Sequence, residues 1–321
     1  MNDMNPRIAY IDSTRAILIA MVVLGHILNG ANPGYDIIPY TLAQEFMDSF
    51  HMPAFFILSG MLLNVKKWHN SGFDKYLLRR AYTLLVPYIF FETLAILYKH
   101  FVLGAVSIAD GLYLMATVRC NVGANWFLPA MFLAAMIYYL YILYPNKAVW
   151  SIISMLLLAV LPHLPEGHVW VLLFRGVLGF VFMFTGSLLK EYLMKFTWWK
   201  VGAAFLLAAA SSAVCFRFSL GSSFYDGTLK SPLLYLISGI CGAYFVMGIA
   251  RVLNCRALSL VGENALTIMG THQLVLYTIP KSASILWIIG TFALIAAVEA
   301  ALIFTVNKFC PFLVGKSRKE G

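Results

Sequence analysis

Long apolar runs separated by short polar segments recur along the whole chain. A membrane-spanning helix needs about 20 mostly apolar residues, and ten stretches meet or approach this length, although some are short or interrupted. They cover roughly residues 11–30, 46–64, 81–98, 126–144, 148–162, 169–189, 199–215, 233–250, 257–280 and 283–306. The pattern predicts an all-α polytopic membrane protein with about ten transmembrane helices.

The composition changes the picture by excluding other classes of protein. Of the 321 residues, 61% are hydrophobic and 12% are charged, whereas a soluble domain has about 25% charged residues. A soluble enzyme, a disordered chain and a secreted disulfide scaffold are therefore excluded. The five cysteines are scattered without a CxxC pair, which indicates neither a disulfide framework nor a metal site. We expect no metal cofactor.

The basic residues indicate membrane orientation rather than nucleic-acid binding. The chain has 23 Lys and Arg against 14 Asp and Glu, and most of the basic residues fall in short loops. With a cytoplasmic N-terminus, sixteen of them lie on the inner side and five on the outer side, namely Lys99, Arg119, Arg217, Lys230 and Lys281. This positive-inside bias predicts that both termini are cytoplasmic. We expect one integral-membrane domain over residues 1–321, with no extracytoplasmic domain.

Two of the predicted spans contain similar sequences. Phe56–Leu63 reads FILSGMLL and Phe182–Leu189 reads FMFTGSLL. Both segments would end a span at the cytoplasmic face. Because apolar helices also produce such matches by chance, a chance similarity and an internal repeat both stay open.

Ionisable residues inside the spans are the candidate functional residues, because a charge in the hydrocarbon region costs at least about 2.5–3.5 kcal/mol. Alternating span directions place them in two layers. The layer toward the cytoplasm contains Asp12, Arg15, Glu263 and Glu299, with Arg79 and Arg80 beside them. The layer toward the outside contains His26, His51, Arg175 and His272, and Glu92 falls between the two.

The first span joins the two layers along one helix face. Arg15 and His26 are eleven residues apart, which brings them within about 20° of the same face and separates them by about 16 Å along the axis. Asp12 lies one turn from Arg15. This arrangement suits a long anionic molecule that enters from the cytoplasm and reaches His26 with its reactive end.

Structural roles are the alternatives for these residues. A histidine in a span also serves to hydrogen-bond a neighbouring helix, and Asp12 and Arg15 also suit a simple ion pair. Arg79 and Arg80 also suit orientation signals at the membrane surface. Arg175 and Glu299 would then pair with partners on other helices.

Short motifs in a fixed order resemble the membrane-embedded acyltransferase 3 family. The motifs are Ile11–Arg15 with His26, His51–Gly60, Arg79–Arg80 with Pro87–Tyr88, Trp126–Leu128, and Gly262–Asn264 with His272. The His51-Met52-Pro53 version and the compact length look most like the fucose 4-O-acetylase-like branch. The similarity runs over most of the chain.

The resemblance implies an O-acetyltransferase. Such an enzyme would move an acyl group, usually acetyl, from acyl-CoA to a hydroxyl of a sugar in a bacterial surface polysaccharide, glycolipid or lipid-linked precursor. His26 would act as the base or as a transient acyl carrier, and His51 or His272 would orient it or polarise the carbonyl. Two further groups of residues complete the expected site. Acetyl-CoA would contact Asp12, Arg15, Arg79 and Arg80, and substrate would contact Glu92, Trp126 and Arg175.

The expected partners are acetyl-CoA, a carbohydrate or lipid-linked glycan acceptor and the bilayer of the bacterial cytoplasmic membrane. Nucleic acid is not expected, and an oligomer is compatible with the sequence. The competing hypothesis is a multi-span transporter or flippase for a lipid-linked sugar or a small polar solute, because buried ionisable residues also suit proton coupling. Against it, we find no convincing inverted repeat and no matching pair of Gly/Pro-broken helices.

Overall fold

The computed structural model describes residues 9–165 and 167–315, and this part of the chain is helical almost throughout. The helices are α1 (Ala9–Ala31), α2 (Ile38–Asp48), α3 (His51–Leu62), α4 (Val65–Ser71), α5 (Phe73–Arg80), α6 (Val86–Phe101), α7 (Ile108–Ala116), α8 (Phe127–Leu143), α9 (Lys147–Val160), α10 (His168–Leu188), α11 (Lys190–Met194), α12 (Trp198–Arg217), α13 (Pro232–Val252), α14 (Arg256–Glu263), α15 (Ala265–Leu276) and α16 (Ile285–Phe309). Between α12 and α13, β1 (Ser222–Ser223) and β2 (Thr228–Leu229) form an antiparallel hairpin that pairs Ser222 with Leu229. The protein is an all-α polytopic membrane protein.

Seven helical segments in the described residues are long and apolar enough to cross a membrane. They are Tyr10–Ala31, Phe73–Phe101, Gly123–Leu143, His168–Leu188, Trp198–Arg217, Pro232–Val252 and Ile285–Phe309. Ile38–Leu62 and Val65–Ser71 form an eighth candidate that is bent by 67°.

Two shorter apolar helices, Lys147–His163 and Ala265–Leu276, coincide with two further predicted spans. The count of ten therefore stays a prediction, as does the cytoplasmic location of both termini. Four of the basic residues behind that prediction, Arg7, Lys316, Arg318 and Lys319, lie outside the described residues.

Two predicted spans are interrupted where a local polar or proline residue ends one helix and starts another. In the second span α2 ends at Asp48 and α3 begins at His51. Pro53 lies in the first turn of α3, where its missing N–H breaks no helical hydrogen bond. In the ninth span the interruption is Asn264, whose side-chain amide donates to the Leu260 carbonyl at 2.7 Å. Apolar run length does not reveal such breaks, because both halves are apolar.

The two similar segments of the sequence pack against each other, one on α3 and one on α10. An ideal Cβ on Gly60 would lie 1.8 Å from the Met183 carbonyl oxygen, and one on Gly186 would lie 2.1 Å from the Ile57 carbonyl oxygen. The two contacts are equivalent, since Gly186 and Met183 follow Gly60 and Ile57 by the same number of residues. The helices therefore meet as a pseudo-symmetric pair in which each glycine admits the other backbone.

One end of the bundle, hereafter the arginine end, collects most of the predicted inner charged residues. There an ideal Cβ on Gly262 would lie 1.7 Å from the Asp12 carbonyl oxygen, so α1 and α14 touch backbone to backbone. Asn307 near the end of α16 donates to Asn264 at 2.8 Å, and the turn after α16 packs on Thr83. The charged residues at this end are Asp12, Arg15, Arg79, Arg80 and Glu263.

Candidate functional site

Two histidines from helices far apart in the sequence meet in the second half of α1. Nδ1 of His26 lies 3.0 Å from Nε2 of His272 on α15, and the ring centroids are 5.0 Å apart. His272 is fully buried, whereas His26 is half-buried. We call these two residues the histidine pair. The pair lies about 21 Å along α1 from Asp12 at the arginine end.

The hydrogen-bond partners determine which ring nitrogens carry protons. Nδ1 of His272 lies 2.6 Å from the Ile268 carbonyl oxygen; a carbonyl only accepts, so this nitrogen donates. In the neutral ring, Nε2 of His272 is then an acceptor, and it takes the Nδ1–H of His26. The Nε2 of His26 is left unprotonated. A positioned imidazole nitrogen in this form can remove a proton from a substrate near neutral pH.

His51, the first residue of α3, brings a third histidine and a carboxylate to the site. Its Nδ1 donates to the Met47 carbonyl oxygen at 2.7 Å and lies 3.6 Å from Oδ1 of Asp48. His51 also lies close enough to His26 for the two rings to interact electrostatically. The Asp48 carboxylate is 3.9 Å from the position that a Cβ would take on Gly25, the residue before His26.

His26 and Asp48 both keep accessible surface. The His26 ring is half-buried, whereas its partner His272 is fully buried. Asp48 is exposed, with 48% of its side chain accessible. Of the histidine pair, His26 is therefore the residue that a bound molecule can reach.

Glu92 on α6 is a fully buried carboxylate with several hydrogen-bond donors around it. Its oxygens accept the backbone N–H groups of Asn121 at 2.6 Å and Val122 at 3.3 Å, and the side-chain amides of Asn121 and Asn125 at 2.8 Å each. Lys99 binds the Asn121 carbonyl oxygen at 2.5 Å. Glu92 thus holds the loop that leads into α8. This geometry supports a positioning role for Glu92, and its direct contact with substrate stays a prediction.

Arg175 on α10 fastens the β1–β2 hairpin to the bundle. Its Nε donates to the Phe224 carbonyl oxygen at 3.1 Å, and a terminal nitrogen donates to the Tyr225 carbonyl oxygen. The guanidinium lies 4.9 Å from the ring centroid of Trp126. The Trp126 ring stacks on Phe224 at 5.8 Å, and Phe224 stacks on Phe56 at 5.1 Å. Two predicted substrate-binding residues, Trp126 and Arg175, therefore lie together under the hairpin.

The predicted contacts for acetyl-CoA all lie at the arginine end, in different surroundings. Arg15 pairs with Asp12 at 2.9 Å, while 35% of the Arg15 side chain stays exposed. Arg79 is exposed on α5. The ion pair that the sequence suggested as a structural alternative is therefore present, and Arg15 keeps surface through which it can meet an anion.

Arg80 combines burial with an unmet hydrogen-bond donor. Its guanidinium lies over the rings of Tyr76, at 5.1 Å, and Trp68, at 5.9 Å. Its buried Nε has no hydrogen-bond partner among the described residues. An unsatisfied buried donor costs about 1–3 kcal/mol, which a bound anionic oxygen would recover. A π-helical turn, Ala81–Leu85, follows directly, and such turns are frequent at functional sites.

Glu299 on α16 has its partner on the helix that carries His272. Both carboxylate oxygens accept from the Thr271 hydroxyl, at 2.8 and 2.9 Å, and Glu299 is 3% exposed. Thr271 also contacts the Thr267 carbonyl oxygen at 2.7 Å. This contact fixes α16 against α15 directly beside His272, as the structural alternative for Glu299 expects.

The sequence analysis missed Asp48. It lies inside the predicted second span, where a carboxylate is costly, and three residues before His51. The cost of a carboxylate in a span and its spacing from His51 are the features that could have identified Asp48 from the sequence. What the sequence hides is the packing of α2 against α1, which places this carboxylate near Gly25.

Cysteines and other potential metal ligands occur among the described residues. No group of three or more His, Cys, Asp or Glu side chains among them could hold a metal ion. The cysteines are all unpaired. Burial, together with the charge of Glu92, raises the pKa of the Cys120 thiol to about 12. Cys120 is therefore protonated near neutral pH and is a poor nucleophile.

Comparison with known proteins gives a match to a family profile. No curated protein and no solved structure gives a significant match to the chain. The sequence profile of the acyltransferase 3 family, which is described as an acyltransferase domain, matches residues 8–306. This match includes α1, both histidines of the pair and the arginine end. The chain is a multi-pass membrane protein that belongs to the acyltransferase 3 family.

Proposed function

We propose that this protein transfers an acetyl group from cytoplasmic acetyl-CoA to a sugar hydroxyl in a bacterial surface polysaccharide, glycolipid or lipid-linked precursor. The family supplies the reaction class, acyl transfer. The observation that carries the proposal is the histidine pair, whose hydrogen bonds leave Nε2 of the half-buried His26 unprotonated. The protein would work in the bacterial cytoplasmic membrane, and its His51-Met52-Pro53 motif favours the fucose 4-O-acetylase-like branch.

The arginine end is suited to the phosphate groups of CoA. Guanidinium groups bind phosphate oxygens with two parallel hydrogen bonds, and Arg80 has a buried donor without a partner in the described chain. Arg15 and Arg79 add exposed cations. The distance of about 16 Å from Arg15 to His26 along α1 suits a long donor that lies parallel to the helix.

The chemistry requires a base for the acceptor hydroxyl. As the hydroxyl oxygen bonds to the thioester carbonyl carbon, Nε2 of His26 takes the hydroxyl proton. The carbon–sulfur bond breaks, and the same proton passes to the departing sulfur, so the imidazole returns to its neutral form. The hydrogen bond to His272 becomes charge-assisted while His26 is cationic. General-base catalysis of this kind contributes about 10²–10⁴-fold to the rate.

His51 is the second candidate catalytic group. Since its Nδ1–H is used by the Met47 carbonyl oxygen, its neutral ring has no further N–H to offer. It can polarise the thioester carbonyl only when Nε2 is also protonated. The Asp48 carboxylate lies 3.6 Å from its Nδ1. The alternative route, in which His26 first accepts the acetyl group and then passes it to the hydroxyl, uses the same nitrogen.

Transfer of radiolabelled acetyl from acetyl-CoA to glycan, measured in membranes that contain the protein, tests the proposal. The wild type and a His168→Ala control, which replaces an exposed histidine, should label the glycan equally, whereas His26→Ala should abolish labelling with normal accumulation in the membrane. Retained labelling in His26→Ala would exclude His26 from the chemistry. No labelling in any variant, with glycan still exported, would favour the transporter or flippase.

A further inference from the structure

A polar recess opens beside the histidine pair, between α2, α12, α13 and the β1–β2 hairpin. Its lining residues are Glu45, Asp48, Ser49, Ser211, Ser212, Cys215, Gly221, Ser222, Leu234, Tyr235 and Ser238. Together with its open mouth, the recess has about 310 Å³ of empty volume. Nine of these eleven residues carry a side-chain polar or sulfur atom, which is unusual inside so apolar a bundle.

Three side chains that line the recess are almost fully buried. Tyr235 is only 4% exposed, and Ser211 and Ser212 are each 7% exposed. None of the three side-chain hydroxyls makes a hydrogen bond within the described residues. Their oxygens are not among the fully enclosed unpaired atoms, so the small accessible part of these side chains includes the hydroxyls. Three unpaired hydroxyls that line one recess suit a ligand with several hydrogen-bonding groups.

The recess lies close to the part of α1 that carries His26. Asp48, which lines it, lies 3.6 Å from Nδ1 of His51 and 3.9 Å from the position of a Cβ on Gly25. A ligand bound to Asp48 would therefore lie near the residue that precedes His26.

The charges that face the recess are mainly negative. Glu45 and Asp48 line it, and Asp226 acts electrostatically on Asp48 from the hairpin. Lys230 is the nearby cation; it interacts with Glu45 and donates to the Ser219 carbonyl oxygen at 3.2 Å. Carboxylates only accept hydrogen bonds, so they suit the O–H groups of an uncharged polyol. An added anion would meet like charge, which is strongly unfavourable.

We infer that this recess is the acceptor subsite and that it selects an uncharged, hydroxyl-rich sugar over an anionic one. The inference rests on the proposed function. Glu45 and Asp48 accept hydrogen bonds from the sugar, and the hydroxyls of Tyr235 and the two serines form further hydrogen bonds with it. The sugar hydroxyl to be acetylated points toward His26.

The native Cys215 in the recess provides a direct test. A variant with Cys120, Cys241, Cys255 and Cys310 replaced by alanine leaves this thiol as the reporter. Its labelling by a small uncharged methanethiosulfonate should be slowed by the methyl glycoside of glucose, galactose or fucose. Methyl glucuronide should protect at least about tenfold more weakly, because of like-charge repulsion. Equal protection by glucuronide, or no protection by any of these sugars, would overturn the inference.

Kinetics give a second test that separates the inference from the proposed function. Glu45→Gln should raise the KM for acceptor about tenfold, as expected for loss of a hydrogen bond to a charged group, and leave the KM for acetyl-CoA unchanged. Asp36→Asn, in an exposed loop near the start of α2, is the control. If the wild type acetylates glycan and Glu45→Gln has the same KM for acceptor, the subsite is wrong and the proposed function stands. If the wild type does not acetylate glycan, the proposed function is wrong.

Discussion

Nδ1 of His26 and Nε2 of His272 lie 3.0 Å apart although 246 residues separate them in the chain. The contact joins α1 to α15 and completes a chain of hydrogen bonds that ends at the Ile268 carbonyl oxygen. Its direction follows from chemistry alone, because a carbonyl accepts and a neutral imidazole has one donor. This direction supports the proposal that His272 positions His26 and that His26 faces the substrate.

The first prediction separates these two roles. His272→Gln keeps a side-chain oxygen that can accept the Nδ1–H of His26, whereas His272→Ala leaves that donor without a partner. We expect His272→Gln to retain most of the acetyl transfer rate and His272→Ala to lose about 10²-fold or more, since tautomer control by a partner can be worth more than this. Steady-state rates with acetyl-CoA measure the difference. Equal activity of the two variants would contradict the positioning role.

The second prediction concerns donor binding at the arginine end. Arg80→Gln removes the charge and should raise the KM for acetyl-CoA about tenfold or more, as for hydrogen bonds to charged groups, with a smaller change in kcat. Arg15→Ala should act in the same direction. Arg217→Gln, at the opposite end of α12 from the arginine end, is the matched control. An unchanged KM in both variants would remove these arginines from donor binding.

The third prediction concerns the buried carboxylate that holds the loop before α8. In Glu92→Gln an NH₂ group takes the place of one carboxylate oxygen. Because this group faces N–H donors, at least one donor loses its acceptor. We expect the free energy of unfolding to fall by about 2 kcal/mol or more, seen as a lower Tm of the detergent-solubilised protein. Glu191→Gln, on an exposed position, should leave the Tm unchanged. A stable Glu92→Gln protein would mean that the loop is held by other contacts.

The fourth prediction uses the crossing of α3 and α10. A methyl group on Gly60 or Gly186 would lie about 2 Å from the facing carbonyl oxygen, so alanine at either position should force the helices apart and destabilise the protein by about 1–3 kcal/mol. Gly202 and Gly290 have nothing within 4 Å of such a methyl group. Alanine there should be neutral or stabilising, because alanine favours helix. Thermal unfolding of the four variants is the measurement, and a Gly60→Ala protein as stable as Gly202→Ala would disprove the close contact.

The fifth prediction concerns the hairpin above the recess. Arg175→Met removes two hydrogen bonds to the hairpin backbone, each worth about 1.5–3 kcal/mol with a charged donor. Opening of the hairpin should increase, and trypsin should cleave after the exposed Lys230 at least about tenfold faster. Arg119→Met is the control for a general effect of losing an arginine. An unchanged cleavage rate would show that the aromatic stack around Phe224 is sufficient to hold the hairpin.

The sequence by itself determined the class of protein and the layout of α1. The length of an apolar run identifies a membrane helix, because the thickness of the hydrocarbon core sets the number of residues that a helix needs to cross it. The spacing of Arg15 and His26 fixes their separation because helical rise is constant. Motif order identified the acyltransferase 3 family, which the profile match confirmed. All of these are local or regular properties of the chain.

Only the tertiary structure decided which side chains meet. It paired His26 with His272 rather than with His51, surrounded Glu92 with amide donors and brought Asp48 back against α1. It also placed Tyr235 and the two serines of α12 around one recess. These outcomes depend on helix crossings set by close packing, such as that of Gly60 on Met183, and on breaks inside apolar runs. Neither is encoded in the periodicity of a single helix, because both arise from contacts between residues far apart in sequence.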